Sequence, residues 1–137
     1  MRGFIGEIVS RFEKKGLLLL AAKLIQMSSG QAEKLYEVHE GKPFFQDLVS
    51  HVTSGPVFVM VWEGPNAVGV VRGLVGATIP LNAAPGTVRG DFALSMTPDA
   101  IHAADSLDNA KREMSIFFQT SELAKYSKPT EREYLLK

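Results

Sequence analysis

The amino-acid sequence predicts a two-layer α+β sandwich formed by one domain over residues 1–137. Strand-like apolar runs alternate with pairs of helical segments, which is the order expected when helices cover a sheet. Hydrophobic residues make up 45% of the chain and charged residues 22%, which is the balance of a folded protein. A chain of 137 residues can bury one substantial core and is too short for two ordinary domains.

The first half of the sequence predicts three helical segments and two strands. Apolar residues recur at helical spacing from Phe4 to Phe12, and Gly16 follows as a helix stop. Residues 17–27 are rich in large aliphatic side chains and favour a buried strand, although periodicity alone leaves a helix possible. The elements that follow are a short helix over 31–39, a helix from Pro43 through Val52 and a central strand over 57–62.

The second half predicts a helix, a long loop, a short strand and a final helix. The helix spans about 66–74, and the loop over 76–90 contains two prolines and no periodicity, so we expect ligand contacts there. Residues 100–103 are predicted to form the last short strand, and Ser106 is predicted to cap a helix over 107–118. The remaining residues are expected to form a surface tail or an interface strap.

His102 is the candidate nucleophile, and the helix after it supplies a partner. Glu113 falls on the apolar face of that helix, where an unpaired carboxylate would cost on the order of several kcal/mol. The imidazole of His102 is the obvious partner, because a bond to one ring nitrogen fixes the tautomer and leaves the other nitrogen to attack. Taken alone, such a histidine is more often a structural residue than a nucleophile. The apolar face comprises Leu107, Ala110, Met114, Phe117 and Phe118.

Two arginines in apolar or glycine-rich surroundings are candidate anion-binding groups. Arg72 stands in V-V-R-G-L and Arg89 in T-V-R-G-D, where a guanidinium without an anion would be costly. Each also has a structural interpretation, because Arg72 could extend from its helix to solvent and Arg89 could pair with Asp91. The adjacent Phe44 and Phe45 are core residues by default, and one of them is expected to reach a ligand.

Charge and composition argue against several other functions. Fifteen Lys and Arg balance fifteen Asp and Glu, so no general basic field would attract nucleic acid or an anionic membrane. The longest apolar run, over 17–22, is far shorter than the roughly 20 residues that cross a bilayer. The chain has no cysteine and shows no export signal, which suits the cytoplasm. His39 and His51 lack a partner constellation and are interpreted as surface residues.

Several separate blocks of sequence, in order, resemble one enzyme family. The block P-G-T-V-R-G-D-F-A-L-S-M-T-P-D-A-I-H-A-A-D-S over 85–106 is similar to the active-site region of the nucleoside diphosphate kinases. Further blocks are R-G-F-I-G-E-I, P-F-F, S-G-P-V-F-V-M-V-W-E-G and V-R-G-L-V-G-A-T, so the resemblance extends from Arg2 to about Tyr126. It implies a ferredoxin-like antiparallel sheet, from which the family's first strand, with its K-P-D-G segment, is expected to be missing.

The resemblance implies that the chain transfers the terminal phosphate of a nucleoside triphosphate to a nucleoside diphosphate. The expected ping-pong mechanism passes through a phosphohistidine at His102, with Glu113 orienting the ring and Tyr36 beside it. Magnesium is expected to bridge the nucleotide phosphates and to need no dedicated protein ligands. The implied assembly is a homo-oligomer, either a hexamer or a tetramer.

The same resemblance implies a set of nucleotide-binding residues. Arg72, Thr78 and Arg89 fall on positions that hold the phosphates, and Phe44 falls where an aromatic ring stacks on the base. Asp99 stands where the family has an asparagine near the sugar, and this change is expected to weaken nucleotide affinity. The missing lysine and Asp99 also motivate an alternative, which is a catalytically impaired relative that binds nucleotides or a protein partner.

Overall fold

The structure is a computed structural model that describes residues 4–77, 82–92 and 101–126. Within these ranges the elements are α1 Ile5–Lys14, β1 Leu18–Ile25, α2 Ser29–Leu35, α3 Phe45–Thr53, β2 Val57–Glu63, α4 Ala67–Val75, α5 Val88–Phe92 and α6 Leu107–Phe117. Short 3-10 helices cover Glu37–His39 and Thr120–Glu122. The helix predicted over 31–39 is thus divided into α2 and a 3-10 helix, and the helix predicted from Pro43 begins at Phe45.

The two strands of the described residues pair in antiparallel orientation. The register places Leu18 opposite Glu63, and it shifts between Leu19 and Ala21. Leucine and alanine carry no strong strand preference of their own, so pairing with the valine-rich β2 decides the conformation of β1. The strand predicted over 17–27 is confirmed, and the helix that periodicity left open is not formed.

Local sequence signals account for several helix ends. The Ser28 hydroxyl accepts from the Gln31 N–H, and the Gln31 side chain accepts from the Ser28 N–H, so a capping box begins α2. The Ser106 hydroxyl accepts from the Asn109 N–H and begins α6, as predicted. Gly76 follows α4 with a φ of 96°, a conformation that residues with a side chain rarely adopt.

Apolar side chains of the helices and strands form two buried clusters. The almost fully buried Phe12 ring meets Trp62 edge to face, with 5.3 Å between the ring centroids. Ala103 belongs to the first cluster, so the residue next to His102 is fixed in the core. The first cluster contains Ile8, Phe12, Leu17, Val75, Val88 and Ala103, and the second contains Met27, Ala32, Leu35, Phe45 and Val49.

Three predictions about the second half need correction. The prediction of a strand over 100–103 is wrong for residues 101–103, which the structure describes, because residues 101–104 form neither helix nor strand. Their carbonyl oxygens at positions 101 and 103 accept from arginine side chains instead of from a neighbouring strand. The loop expected over 76–90 ends earlier, because the buried Val88 begins α5. Leu107 is exposed, because it is the first residue of α6 and lies outside both core clusters.

Candidate active site

His102 and Glu113 lie together, as the sequence predicts. The Nε2 atom of His102 is 2.6 Å from Oε1 of Glu113. Since a carboxylate oxygen can only accept, the proton of this hydrogen bond is assigned to Nε2, and in the neutral ring Nδ1 then carries the lone pair. The Glu113 side chain is 13% exposed, whereas the His102 side chain is 42% exposed. A shielded acid therefore orients the ring of a side chain that is itself partly exposed to solvent.

Two arginine side chains hold the backbone on either side of His102. The Nη1 atom of Arg72 donates to the carbonyl oxygen of Ala103 at 3.2 Å. The Nη2 atom of Arg89 donates to the carbonyl oxygen of Ile101 at 3.1 Å. Arg89 is only 5% exposed, and its Nη1 donates to the carbonyl oxygen that follows α4, at 3.1 Å. Two guanidinium groups thus bring positive charge to the segment that carries the imidazole.

A row of aromatic rings connects His102 with Phe44. The Tyr36 ring meets the His102 ring edge to face, with centroids 5.6 Å apart. The centroid of His39 lies 6.5 Å from that of Tyr36 and 5.2 Å from that of Phe44. Phe44 is 45% exposed, whereas Phe45 is buried in the second core cluster. The ring of Phe44 is therefore open to stacking on a flat ligand.

His39 experiences charges of both signs. Burial lowers the pKa of the His39 imidazole, and the charges of Lys42 and of protonated His102 lower it further. The Asp105 carboxylate opposes this shift. The pKa of Asp105 is itself lowered, mainly because a side-chain amide of α6 donates to it, with a smaller effect from the charge of Arg72. Asp105 therefore acts electrostatically on both the arginine part and the aromatic part of the site.

The structure brings together six of the eight residues predicted for the site, and two others lie outside the described residues. These two are Thr78 and Asp99, whose roles stay predictions. The interpretation of His39 as a residue without partners is wrong, because its ring contacts two aromatic neighbours. Its spacing of three residues from Tyr36 was an available signal, since such residues share one face of a helical turn. Asp105 was also missed, although it follows His102, the candidate nucleophile, by three residues.

Arg72 and Arg89 do not make the purely structural contacts that the sequence alone left open for them. Asp91 does not pair with Arg89, because its carboxylate accepts from Arg11 Nη2 at 2.8 Å and from the Gly86 N–H at 2.9 Å. Arg72 is partly buried and bonded to backbone, so it does not extend freely into solvent. Both guanidinium groups are instead directed at the backbone beside His102.

Comparison with known proteins identifies the family of the chain. A family model described as nucleoside diphosphate kinase matches residues 1–123. The chain belongs to the nucleoside diphosphate kinase family. A nucleoside diphosphate kinase of Saccharolobus solfataricus is 57% identical to it over 122 residues, which are 89% of this chain and 88% of that protein.

Two solved structures of nucleoside diphosphate kinase family proteins share the fold, each at 43% sequence identity. A halophilic nucleoside diphosphate kinase from Halobacterium salinarum, in complex with CDP, has a TM-score of 0.91 and covers 99% of this chain and 90% of its own. A family protein from Babesia bovis has a TM-score of 0.90, with coverages of 94% and 87%. The predicted two-layer, ferredoxin-like α+β sandwich with an antiparallel sheet is confirmed.

One other concave feature of the described residues lies apart from the candidate site. An open cleft of about 350 Å³ shares no residue with the His102 site, and its lining consists of Leu20 of β1, Glu63 of β2, Thr120 and residues 123–126. Across residues 4–77, 82–92 and 101–126, no helix has the length and apolarity of a membrane span. No group of three His, Asp or Glu side chains within the same ranges is arranged to hold a metal ion.

Proposed function

We propose that the chain moves the terminal phosphate of a nucleoside triphosphate to a nucleoside diphosphate through a phosphohistidine at His102. The observation that carries this proposal is the 2.6 Å contact between His102 Nε2 and Glu113 Oε1 on a ring that is open to solvent. It supports an oriented imidazole with an available Nδ1 lone pair. The alternative of a catalytically impaired relative is not favoured, because the Saccharolobus solfataricus relative at 57% identity is a nucleoside diphosphate kinase.

The reaction divides into two displacements at phosphorus. In the first, the Nδ1 lone pair of His102 attacks the terminal phosphorus, the bond to the bridging oxygen breaks and the nucleoside diphosphate leaves with that electron pair. The phosphorylated ring keeps its Nε2 proton and becomes cationic, so the Glu113 carboxylate stabilises it. In the second, a terminal oxygen of another nucleoside diphosphate attacks the same phosphorus, and the N–P bond breaks to restore the neutral ring.

Arg72 and Arg89 are proposed to gather the phosphate charge around His102. A guanidinium carries five N–H donors, and the described bond of Arg72 to Ala103 uses one of them. The transferred group has a loose transition state with charge spread over its oxygens, so positioned cations supply much of the catalysis. The resemblance adds Thr78 as a hydroxyl donor to the same phosphates.

Phe44 is proposed to stack on the base, with Tyr36 supporting the catalytic ring. The 45% exposure of Phe44 supports this role, and stacking on an aromatic ring tolerates any base. The Halobacterium salinarum relative is in complex with CDP, which supports nucleotide binding by this chain as well. Asp99 is proposed to lie near the sugar, where its charge weakens affinity relative to an asparagine.

Magnesium is proposed to arrive on the phosphate oxygens of the nucleotide. Mg²⁺ prefers oxygen ligands and water, and the exposed Asp105 carboxylate, which experiences the charge of Arg72, would be able to accept hydrogen bonds from water bound to the ion. When bound, the ion neutralises charge on the phosphates. We further propose a single domain over 1–137, a cytoplasmic location and a homo-oligomer, either hexamer or tetramer.

The test is incubation of the protein with a triphosphate labelled on its terminal phosphate. Wild type should acquire acid-labile label without an acceptor and release it to a diphosphate of a different base. His102→Ala should acquire none, and the matched control His51→Ala should behave as wild type. Chelation of Mg²⁺ should stop labelling. Wild-type protein that binds nucleotide in calorimetry but never becomes labelled would favour the impaired relative.

A further inference from the structure

Arg11 on α1 is bonded to the segment that leads into α5. Its Nη2 donates to Oδ2 of Asp91 at 2.8 Å, and its Nη1 donates to the carbonyl oxygen of Gly86 at 3.1 Å. The other oxygen of Asp91, Oδ1, accepts from the Gly86 N–H at 2.9 Å. One guanidinium therefore joins a backbone carbonyl before α5 to a carboxylate within it. We call this arrangement of Arg11, Gly86 and Asp91 the Arg11 bridge.

The Arg11 bridge rests on a fixed part of the protein. Arg11 precedes Phe12, whose ring is almost fully buried in the first core cluster, so α1 cannot shift easily at this point. Glu7, one turn earlier on α1, accepts from Arg11 Nε at 3.3 Å and helps to orient the guanidinium. The pKa of Asp91 is lowered, first by the Gly86 N–H and then by Arg11, which keeps the carboxylate charged.

The helix that receives the Arg11 bridge also carries Arg89. It has only five residues, which is too short to hold its own orientation. Val88, at its start, is fully buried in the first core cluster and gives one attachment point. The bonds of the Arg89 side chain to the carbonyl oxygens of Gly76 and Ile101 hold the helix at the next residue. Asp91 lies three residues after Val88 and gives an attachment nearer the other end, so the Arg11 bridge limits the tilt that the attachments at the start of the helix leave open.

We propose that Arg11 is a positioning residue for phosphoryl transfer, because the Arg11 bridge fixes α5 and through it the guanidinium of Arg89. This inference rests on the proposed role of Arg89 in holding the transferred phosphate. Arg89 is almost fully buried and contacts the carbonyl oxygen of Ile101, next to the nucleophile, so a tilt of α5 moves a charge at the reaction centre. A misplacement of about 1 Å in a positioned group can slow a reaction on the order of 100-fold.

The variant Arg11→Lys separates positioning from stability. Lysine keeps the positive charge of Arg11, but its single ammonium lacks the planar fork that reaches both Gly86 and Asp91. We expect the melting temperature to stay within a few degrees and nucleoside diphosphate binding, measured by calorimetry, to weaken less than about threefold. The single-turnover rate of His102 phosphorylation at saturating triphosphate should fall about tenfold, because the misplaced charge matters most in the transition state.

The matched control is Glu7→Gln, which removes the charge of a partner of Arg11 that belongs to α1 and not to α5. Its phosphorylation rate should stay within twofold of wild type. Should Arg11→Lys fail to fold, Asp91→Asn provides the same test. Asparagine keeps the shape of the Asp91 side chain and removes the negative charge that the Arg11 guanidinium contacts. The same tenfold loss is expected, with binding again changed less than threefold.

Two results would overturn the inference without touching the proposed function. One is a wild-type rate in folded Arg11→Lys and folded Asp91→Asn. The other is a rate that falls only in proportion to the folded fraction, which would make the Arg11 bridge a purely structural contact. Wild-type protein that never phosphorylates His102 would instead remove the proposed function itself, and this outcome is visible in the same assay before any variant is compared.

Discussion

The exchange Glu113→Gln removes the charge beside the proposed nucleophile with little change of shape. The wild-type contact between His102 Nε2 and Glu113 Oε1 is short, at 2.6 Å, and the acid is well shielded from solvent. Hydrogen bonds to charged groups contribute about 1.5–3 kcal/mol. The ring becomes cationic as Nδ1 takes the phosphoryl group, so the carboxylate stabilises the transition state more than the resting state. A loss of this size predicts phosphorylation slower by about 10- to 150-fold.

The assay is rapid-quench measurement of labelled enzyme after mixing with excess labelled triphosphate. Triphosphate affinity, taken from the concentration dependence of the rate, should change little, because Glu113 does not touch the phosphates in the proposed mechanism. The control Glu122→Gln removes an exposed carboxylate that accepts from Lys23 at 3.0 Å, away from His102. Its rate should match wild type.

Two results would show that the charge of Glu113 does not assist phosphorylation of His102. A folded Glu113→Gln protein with a rate within twofold of wild type would show that orientation by an amide is sufficient and that the charge has no role. An equal loss in Glu122→Gln would show that the assay responds to overall stability and not to the His102 contact.

Three further predictions concern the aromatic row and the core. Phe44→Ala should weaken nucleotide binding by about 1–3 kcal/mol for every base while leaving folding unchanged, as calorimetry and thermal melting would check. Phe12→Ala should lower the free energy of unfolding by about 3–5 kcal/mol in denaturant titration, because the ring is almost fully buried against Trp62. The pKa of His39, followed by NMR, should rise in Lys42→Gln and fall in Asp105→Asn, and opposite or absent shifts would contradict the described charges. Because folding lowers the pKa of His39, the neutral ring favours the folded state. The contribution of His39 to the free energy of unfolding is therefore present above the unfolded-state pKa near 6.5 and is lost as the pH falls below that value.

Helices and strands could be predicted where local sequence decides them. Ser106 caps α6 as expected, and the positive φ of Gly76 follows the end of α4. The strand expected over 100–103 could not be judged in this way. The carbonyl oxygen of Ala103 accepts from Arg72, which is 31 residues away in sequence. The carbonyl oxygen of Ile101 accepts from Arg89, which is 12 residues away. Local propensity carries no information about such distant donors.

The candidate site was predictable to the extent that burial forces a pairing. Glu113 lies on the inward face of α6, where a carboxylate needs a partner. His102 lies five residues before the start of the same helix and was therefore the nearest candidate. The Arg11 bridge was not predictable, because Arg11 and Asp91 are 80 residues apart in sequence. The local sequence around each of them is also typical of an exposed charged residue. His39 was missed for a related reason, since its contact with Phe44 depends on the turn between two helices.

The position of the phosphate on the ring of His102 is the decisive measurement for the proposed function. Protein incubated with triphosphate in the absence of acceptor can be examined by ³¹P and ¹⁵N NMR, which distinguish the two phosphohistidine isomers. Because Nε2 donates to Glu113, we expect phosphate on Nδ1 of His102 and its complete discharge by added nucleoside diphosphate. Phosphate on Nε2, or on any other residue, would rule out the proposed transfer through Nδ1.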